Sequence, residues 1–261
     1  MNTLYVIKIG GNIIDDETRL SSFLRSFASI EGKKILVHGG GKLAAKLAAA
    51  LGIEQQMVDG RRVTDTETLR MVTMVYAGDI NKNIVAQLQA NGCNAIGLSG
   101  ADGNLIRAHK RIHPTIDYGF VGDIDSVNAG LLHNLLDNNL TVVAAPITHD
   151  GKGRLLNTNA DTIAQEMAKA LSNLYQVQLI YLFEKNGVLL DVNDEHSVIP
   201  EINAAYYQEL KRKQLIFAGM LPKLDNAFAA LQNGVNKVII GKAEQLDQLI
   251  AGKAGTTIKY E

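Results

Sequence analysis

Six short, β-branched, largely apolar runs recur along the chain: Leu4 to Ile9, Lys34 to His38, Ala95 to Leu98, Leu140 to Ala144, Gln178 to Phe183 and Lys237 to Ile240. Longer segments with helical apolar spacing separate them, such as Leu20, Phe23, Leu24 and Phe27, then Leu43, Leu47 and Leu51, then Leu69, Val72, Val75 and Tyr76. A strand apolar on both sides must be covered on both sides, and strands separated by helices join through parallel crossovers. The alternation therefore predicts an α/β fold, a three-layer αβα sandwich with a mainly parallel central sheet. Sheets of this kind bind ligands beyond the carboxyl ends of their strands, which directs attention to the residues just after each run.

Two segments interrupt the alternation. Met57-Val58-Asp59-Gly60-Arg61-Arg62-Val63 and Leu105 to Asp123, the latter with Asp117-Tyr118-Gly119 at a turn, are expected to be hairpins standing off the main sheet. Either a substrate lid or an ordinary edge ribbon would fit them. A boundary between two lobes is expected near Thr148 to Leu155, because His149-Asp150-Gly151-Lys152-Gly153 is polar and turn-forming. At 261 residues, one large domain or two joined lobes are both possible.

Charge excludes some functions. With 26 basic against 27 acidic residues the formal charge is −1, and no stretch carries five like charges together, which argues against nucleic-acid or basic membrane-surface binding. The single cysteine, Cys93, permits no internal disulfide, fits a reducing compartment and is expected to pack rather than react. The first residues form a strand pattern rather than a signal peptide, and no apolar stretch nears the roughly 18 residues of a membrane span. A soluble, cytoplasmic protein is expected.

The chemistry gathers at three turns: Lys8-Ile9-Gly10-Gly11, His38-Gly39-Gly40-Gly41 and Gly219-Met220-Leu221-Pro222-Lys223. Consecutive glycines after a strand let backbone N–H groups approach an anion, and a following helix N-terminus adds its dipole. These turns suit phosphate, although tight turns use glycine for steric reasons too. The Walker A pattern does not fit, since no Ser or Thr follows Lys42, and no GxGxxG follows a strand. Lys8 falls within an apolar strand, where a buried ammonium needs an anionic partner, unless it lies at the sheet's surface. In Asn157-Thr158-Asn159-Ala160-Asp161, either Asn159 or Asp161 could simply cap the next helix, but the polar crowding exceeds what a cap requires. Lys223 is oddly placed for a helix start, which disfavours cations.

Taken together, Lys8-Ile9-Gly10-Gly11, the triglycine turn, Asn159-Ala160-Asp161 and Gly219-Met220-Leu221-Pro222-Lys223 resemble the amino acid kinase family. The resemblance is closest to its N-acetyl-L-glutamate kinases, whose own segments look like Gly60-Arg61-Arg62-Val63-Thr64-Asp65, Gly97 to Gly103, Gly119-Phe120-Val121-Gly122-Asp123 and Leu156 to Asp161. It implies transfer of the γ-phosphoryl group of MgATP, Mg2+ travelling with the nucleotide, to the side-chain carboxylate of an N-acylglutamate in arginine biosynthesis. By similarity, Lys8 and Lys223 contact the transferring phosphoryl and Asp161 orients them. Gly10, Gly11, Gly40 and Gly41 supply N–H groups, Arg62 clamps the α-carboxylate, and Asn157 and Asn159 meet the substrate. The resemblance further implies that residues 1–153 form an acylglutamate-binding and dimerisation lobe and 154–261 a nucleotide-binding lobe.

Departures from the family pattern carry expectations too. Leu182-Phe183-Glu184-Lys185-Asn186-Gly187-Val188 stands where the family usually has Thr/Ser-Asp-Val-x-Gly, so the adenosine pocket is left open. Lys42-Leu43 follows the triglycine turn in place of Pro and an acidic residue. Lys42 and the Arg61-Arg62 doublet place extra cations near the phosphate or the acyl substrate, which keeps succinyl open beside acetyl. Carbamate kinase and glutamate 5-kinase activities stay open as well. The chain starts at its first strand, without the helical extension of arginine-inhibited hexameric members, so a homodimer without arginine feedback is expected.

Overall fold

The computed structural model describes residues 1–58, 61–216 and 220–261, and of Arg61 and Pro222 only the backbone. Asp59 and Gly60 of the first hairpin segment and Gly219 of the third turn lie outside the described residues. In chain order the strands are β1 (Thr3–Ile9), β2 (Lys33–His38), β3 (Met57–Val58), β4 (Arg61–Arg62), β5 (Ala95–Leu98), β6 (Ile106–Lys110), β7 (Gly122–Val127), β8 (Thr141–Ala144), β9 (Ile147–His149), β10 (Leu155–Asn157), β11 (Gln176–Phe183), β12 (Glu201–Ile202), β13 (Lys237–Lys242) and β14 (Thr256–Ile258). The α-helices are α1 (Gly11–Ile14), α2 (Glu17–Ser29), α3 (Gly41–Ala50), α4 (Thr66–Thr73), α5 (Asn81–Ala90), α6 (Ala129–Asp137), α7 (Ala160–Leu171), α8 (Ala204–Arg212), α9 (Leu221–Gln232) and α10 (Leu246–Ile250). A π-helical stretch, Met74–Ile80, joins α4 to α5.

The main sheet has eight strands in the order β12-β14-β13-β11-β1-β2-β8-β5, parallel throughout except for the β13–β14 pair. All six strands expected from the sequence lie in it. Alternate residues of β1 serve opposite cores. Leu4 and Val6 pack with Ile163, Met167 and Leu171 of α7 and with Leu224 and Phe228 of α9. Ile7 and Ile9 pack with Leu20, Phe23 and Phe27 of α2, Met71 and Val72 of α4, and Ile84 and Leu88 of α5. This is the sandwich that strands apolar on both faces demand. Cys93 is buried with its sulfur 3.4 Å from the Thr141 hydroxyl, so it packs as expected.

The two interruptions differ from each other. β3 and β4 form an isolated two-stranded ribbon. The Leu105 to Asp123 segment is more than a hairpin: β6 and β7 pair, but β9 and β10 join them in a four-stranded sheet, β10-β9-β6-β7. The polar turn around His149 to Gly153 links β9 and β10 within that sheet, and the main sheet runs unbroken from strands before it to strands after it.

The second sheet approaches the main body through glycine. Gly119 sits at φ 69°, and a Cβ there would fall 2.1 Å from the Thr64 carbonyl oxygen. Thr64 N–H donates to Tyr118 O at 2.9 Å and Phe120 N–H donates to Thr64 O at 2.6 Å. These bonds fix the start of α4, and the ribbon before it, against the β6–β7 hairpin.

Candidate active site

The turns after β1 and β2 open at the carboxyl edge of the sheet, where a parallel arrangement sends all such ends. Gly39 N–H donates to Ile9 O at 3.0 Å, tying the two turns together. Gly40 has φ 150°, and a Cβ there would lie 2.3 Å from Ile80 Cδ1 and 3.1 Å from the Tyr76 ring, so the π-helical stretch packs directly on the turn. Gly41 is different. A Cβ added there meets nothing within 4 Å, so packing does not require glycine, and the residue borders open clefts.

Two clefts meet at these turns. The larger, about 880 Å³, is lined by Asn12, Lys42, Phe183, Glu184, Val188 and Lys223 among others. The smaller, about 270 Å³, is lined by Lys8, Tyr76, Arg111, Asn157, Asn159 and Asp161 among others. Gly10, Gly11, Gly41, Met57 and Arg62 line both. Anything bound in one cleft can therefore touch what is bound in the other across the glycine turns.

Lys8 is buried, paired in register with Tyr181 and Val37, and its Nζ lies 2.7 Å from Asp161 Oδ1. The contact is an ion pair rather than an aligned hydrogen bond. This meets the need for an anionic partner that its place in the strand imposed. Asp161 is held by α7, whose N-cap is Asn159: its Oδ1 accepts from Asp161 N–H at 2.8 Å and Thr162 N–H at 3.1 Å. Asn159, not Asp161, is thus the cap, and the Asp161 carboxylate is free to serve Lys8.

Lys223 enters from α9 on the other side. Its Nζ stands 3.4 Å from the centre of the Phe183 ring, and Lys8 Nζ is 5.7 Å from the same ring. An aromatic face attracts cations, so Phe183 partly accommodates two ammonium groups that repel each other. Burial pushes the Lys223 ammonium pKa below its usual 10.5; Asp161 opposes that shift, Lys8 adds to it and Glu184 opposes it. A bound anion would relieve both burial and repulsion.

Arg62 donates from Nη2 to Gly41 O at 3.0 Å and from Nη1 to Gln55 Oε1. Its guanidinium therefore lies against the triglycine turn rather than in solvent. Burial raises the Tyr76 phenol above its usual pKa, and Arg62 beside it pulls the other way. Asn157 Nδ2 donates to the Thr64 hydroxyl at 3.1 Å, which orients the amide on the pocket wall. Lys42 donates to Asn12 Oδ1 and lines the larger cleft but not the smaller. The side chain of Arg61 lies outside the described residues.

The sequence reading gave no individual role to four groups here. Phe183 was noted only within the stretch that departs from the family pattern and His38 only as the start of the triglycine turn, while Tyr76 gave no signal beyond core apolarity. His38, wholly buried, sits beneath the triglycine turn with Nδ1 2.8 Å from Gly39 O and Nε2 3.2 Å from Asn81 Nδ2. Arg111, in a basic stretch after β6, reaches the smaller pocket only because β6 pairs with β7.

Comparison with known proteins agrees with this geometry. The sequence pattern of the Amino acid kinase family matches residues 3–242. A protein of Cytophaga hutchinsonii named acetylglutamate kinase is 57% identical over 251 residues, covering 96% of this chain and 95% of that one. Another of that name, from Phocaeicola vulgatus, is 55% identical over 256 residues and covers 98% of each. The carbamate kinase of Giardia lamblia bound to AMP-PNP shares the fold, with a TM-score of 0.72 at 17% identity over 100% of this chain and 99% of that one. Fold, paired lysines and full-length sequence similarity lead to one conclusion: the chain belongs to the amino acid kinase family.

Proposed function

We propose that this enzyme transfers the γ-phosphoryl group of MgATP to the side-chain carboxylate of N-acetyl-L-glutamate, forming N-acetyl-L-glutamyl 5-phosphate and ADP in arginine biosynthesis. The observation that carries the reading is the Lys8–Asp161 pair facing Lys223 across the glycine turns where two clefts meet. The larger cleft has room for a nucleotide and the smaller for an acylated amino acid. Mg2+ enters with the nucleotide.

The chemical problem is bringing two anions together. A carboxylate is already a nucleophile, so no general base is needed, and phosphoryl transfer depends mainly on in-line placement and charge stabilisation. A carboxylate oxygen forms the new bond to phosphorus while the bond to the β-phosphate bridging oxygen breaks. Lys8 takes charge on the acceptor side and Lys223 on the nucleotide side. Backbone N–H groups of Gly10, Gly11, Gly40 and Gly41 donate to the phosphoryl and substrate oxygens. Asp161 keeps Lys8 in place before substrate arrives. Arg62 exchanges Gln55 and Gly41 for the substrate α-carboxylate, which its planar fork matches. Asn157 meets the amide, with Asn159 beside it.

Carbamate fits less well, since it has no α-carboxylate for Arg62. We further infer that residues 1–153 chiefly bind acylglutamate and dimerise while 154–261 chiefly bind nucleotide, and that the enzyme is a cytoplasmic homodimer. No described helix is long and apolar enough to cross a membrane. The test is to incubate the protein with ATP and N-acetyl-L-glutamate and trap product with hydroxylamine. Hydroxamate should form mole for mole with ADP, whereas turnover supported only by carbamate or free glutamate would refute the assignment.

A further inference from the structure

Gly40 supplies one of the N–H groups assigned to the reaction, and the chain holds its direction from beneath. The Gly39–Gly40 peptide is planar and trans, so Gly39 C=O and Gly40 N–H point opposite ways. Whatever grips the carbonyl therefore aims the N–H. Gly39 O lies 2.8 Å from Nδ1 of the wholly buried His38 ring. Gly40 lines the smaller pocket, and as the N-cap of α3 it has an N–H that the helix itself does not use.

The groups behind His38 decide which of its nitrogens carries the proton. Asn81, also wholly buried, places Nδ2 3.2 Å from His38 Nε2 and 3.0 Å from Val143 O. Lys82 Nζ donates to Asn81 Oδ1 at 3.0 Å and to Gly97 O at 2.7 Å. An ammonium can only donate, so the Asn81 oxygen faces Lys82 and the amide nitrogen faces the histidine. That nitrogen too can only donate, so Nε2 is the bare acceptor and the proton sits on Nδ1, aimed at Gly39 O. Every hydrogen bond from Lys82 to Gly39 thus runs in one direction, and bonds in such a series polarise one another. Burial pushes the imidazole pKa down to about 4, which keeps the ring in the neutral form that this series requires. β5 makes room for it: a Cβ at Gly97 would fall 2.0 Å from Asn81 Oδ1. A core that needed only filling would take an apolar side chain at position 38, with no polar group to desolvate.

Resting on the kinase reading, we propose that His38, Asn81 and Lys82 are positioning residues whose one-way series of hydrogen bonds orients and polarises the Gly39–Gly40 peptide, presetting Gly40 N–H as a donor to an oxygen that gains charge during phosphoryl transfer. A donor fixed in advance needs no reorganisation when that charge develops.

Nitrogen NMR of the imidazoles at neutral pH, with the His38 signals identified by their loss in His38→Asn, should show the proton on Nδ1 and a bare Nε2. A proton on Nε2 overturns the proposal. His38→Asn and His38→Leu separate aim from packing, because Asn keeps an N–H donor near the place of Nδ1 and Leu fills the space without one. Stability should rank Leu at or above Asn, which buries an amide with an unpaired end. Turnover should rank them the other way, with kcat of His38→Leu down about tenfold or more, His38→Asn at least severalfold above it, and KM for ATP near native in both. If neither variant folds, Lys82→Met removes the source of direction at an exposed position and should lower kcat severalfold while part of His38 shifts to the Nε2–H form. A kcat order that follows stability, or a Lys82→Met enzyme with native kcat and native tautomer, overturns the proposal while leaving the kinase assignment intact. No acyl phosphate from the native enzyme with N-acetyl-L-glutamate would instead remove the kinase reading, and the proposal with it, whatever the tautomer.

Discussion

In the proposed mechanism Lys8 and Lys223 reach the transferring group from different elements, β1 and α9, and neither has a purely structural reason for its place. Lys8 sits in a strand where an apolar residue would pack at less cost, and Lys223 is a half-buried cation in the first turn of a helix. Replacing either with Met keeps length and packing but removes the charge that offsets the transition state, so kcat should drop on the order of 10²-fold or more. Circular dichroism should show an unchanged fold, and near-native turnover by folded Lys8→Met would end its assignment. His38 makes a different prediction. Burial pushes its imidazole down to about 4 from the ordinary 6.5, with the Gly39 carbonyl opposing the shift and the Lys82 charge adding to it. Below pH 6.5 the unfolded chain takes up a proton that the folded one refuses, so stability is fully present above 6.5 and declines as pH falls towards 4. The loss amounts to roughly 3 kcal/mol for this one group. Urea denaturation at several pH values should give native protein a steeper decline across that window than His38→Gln, and parallel profiles would contradict it.

At the scale of elements, Gly119 joins two parts of the site that no single strand or helix could place. Its contact with Thr64 sets the β6–β7 hairpin against α4, and Thr64 in turn holds Asn157. Gly119→Ala would put a methyl group into a backbone carbonyl at positive φ, so the hairpin must shift, at a cost of about 1–3 kcal/mol for the backbone alone. The expected result is a lower Tm together with a KM for the acylglutamate raised more than that for ATP. Equal effects on both substrates would separate the hairpin from the acyl site. The sequence makes some of this legible and hides the rest for definite reasons. β1, β2, β5, β8, β11 and β13 were readable because burial on both faces enforces continuous β-branched runs. β9, β10, β12 and β14 have two or three residues each, too few for any period to emerge. Lys8, the glycine turns and Asn157 to Asp161 are contiguous stretches whose peculiarity shows without a fold. Arg111 is not: its environment depends on Asp123, twelve residues away across a strand pair, and on Asn157 in a third strand. Lys42, noted in the sequence as an added cation, lines the larger cleft while Arg111 lines the smaller, a distinction that only the packing makes.

For the whole molecule, the homodimer proposed above needs a surface for association, and the helix that packs on the triglycine turn carries an exposed apolar residue. From Thr66 to Ala90 the chain is helical throughout, with the π-helical stretch in its middle. Its inner face is spent: Met71, Val72, Val75, Ile80, Ile84 and Leu88 are buried, and Tyr76 and Ile80 press on Gly40. On the outer face Met74 remains 52% exposed, an unbranched apolar side chain at the centre of a long helix beside the sheet edge formed by β5. A two-fold axis crossing the helix there would bring Met74 against its own copy, the self-complementary contact that a homodimer requires. The same helix would then connect the interface to the triglycine turn through Tyr76 and Ile80, so breaking the dimer should disturb the site as well as the assembly. Light scattering on the native protein should give a dimer mass. Met74→Glu places like charges together across that axis and should shift the mass towards monomer, with kcat/KM falling as the dimer dissociates. A native monomer, or a Met74→Glu dimer as stable as the native one, would move the interface away from this helix.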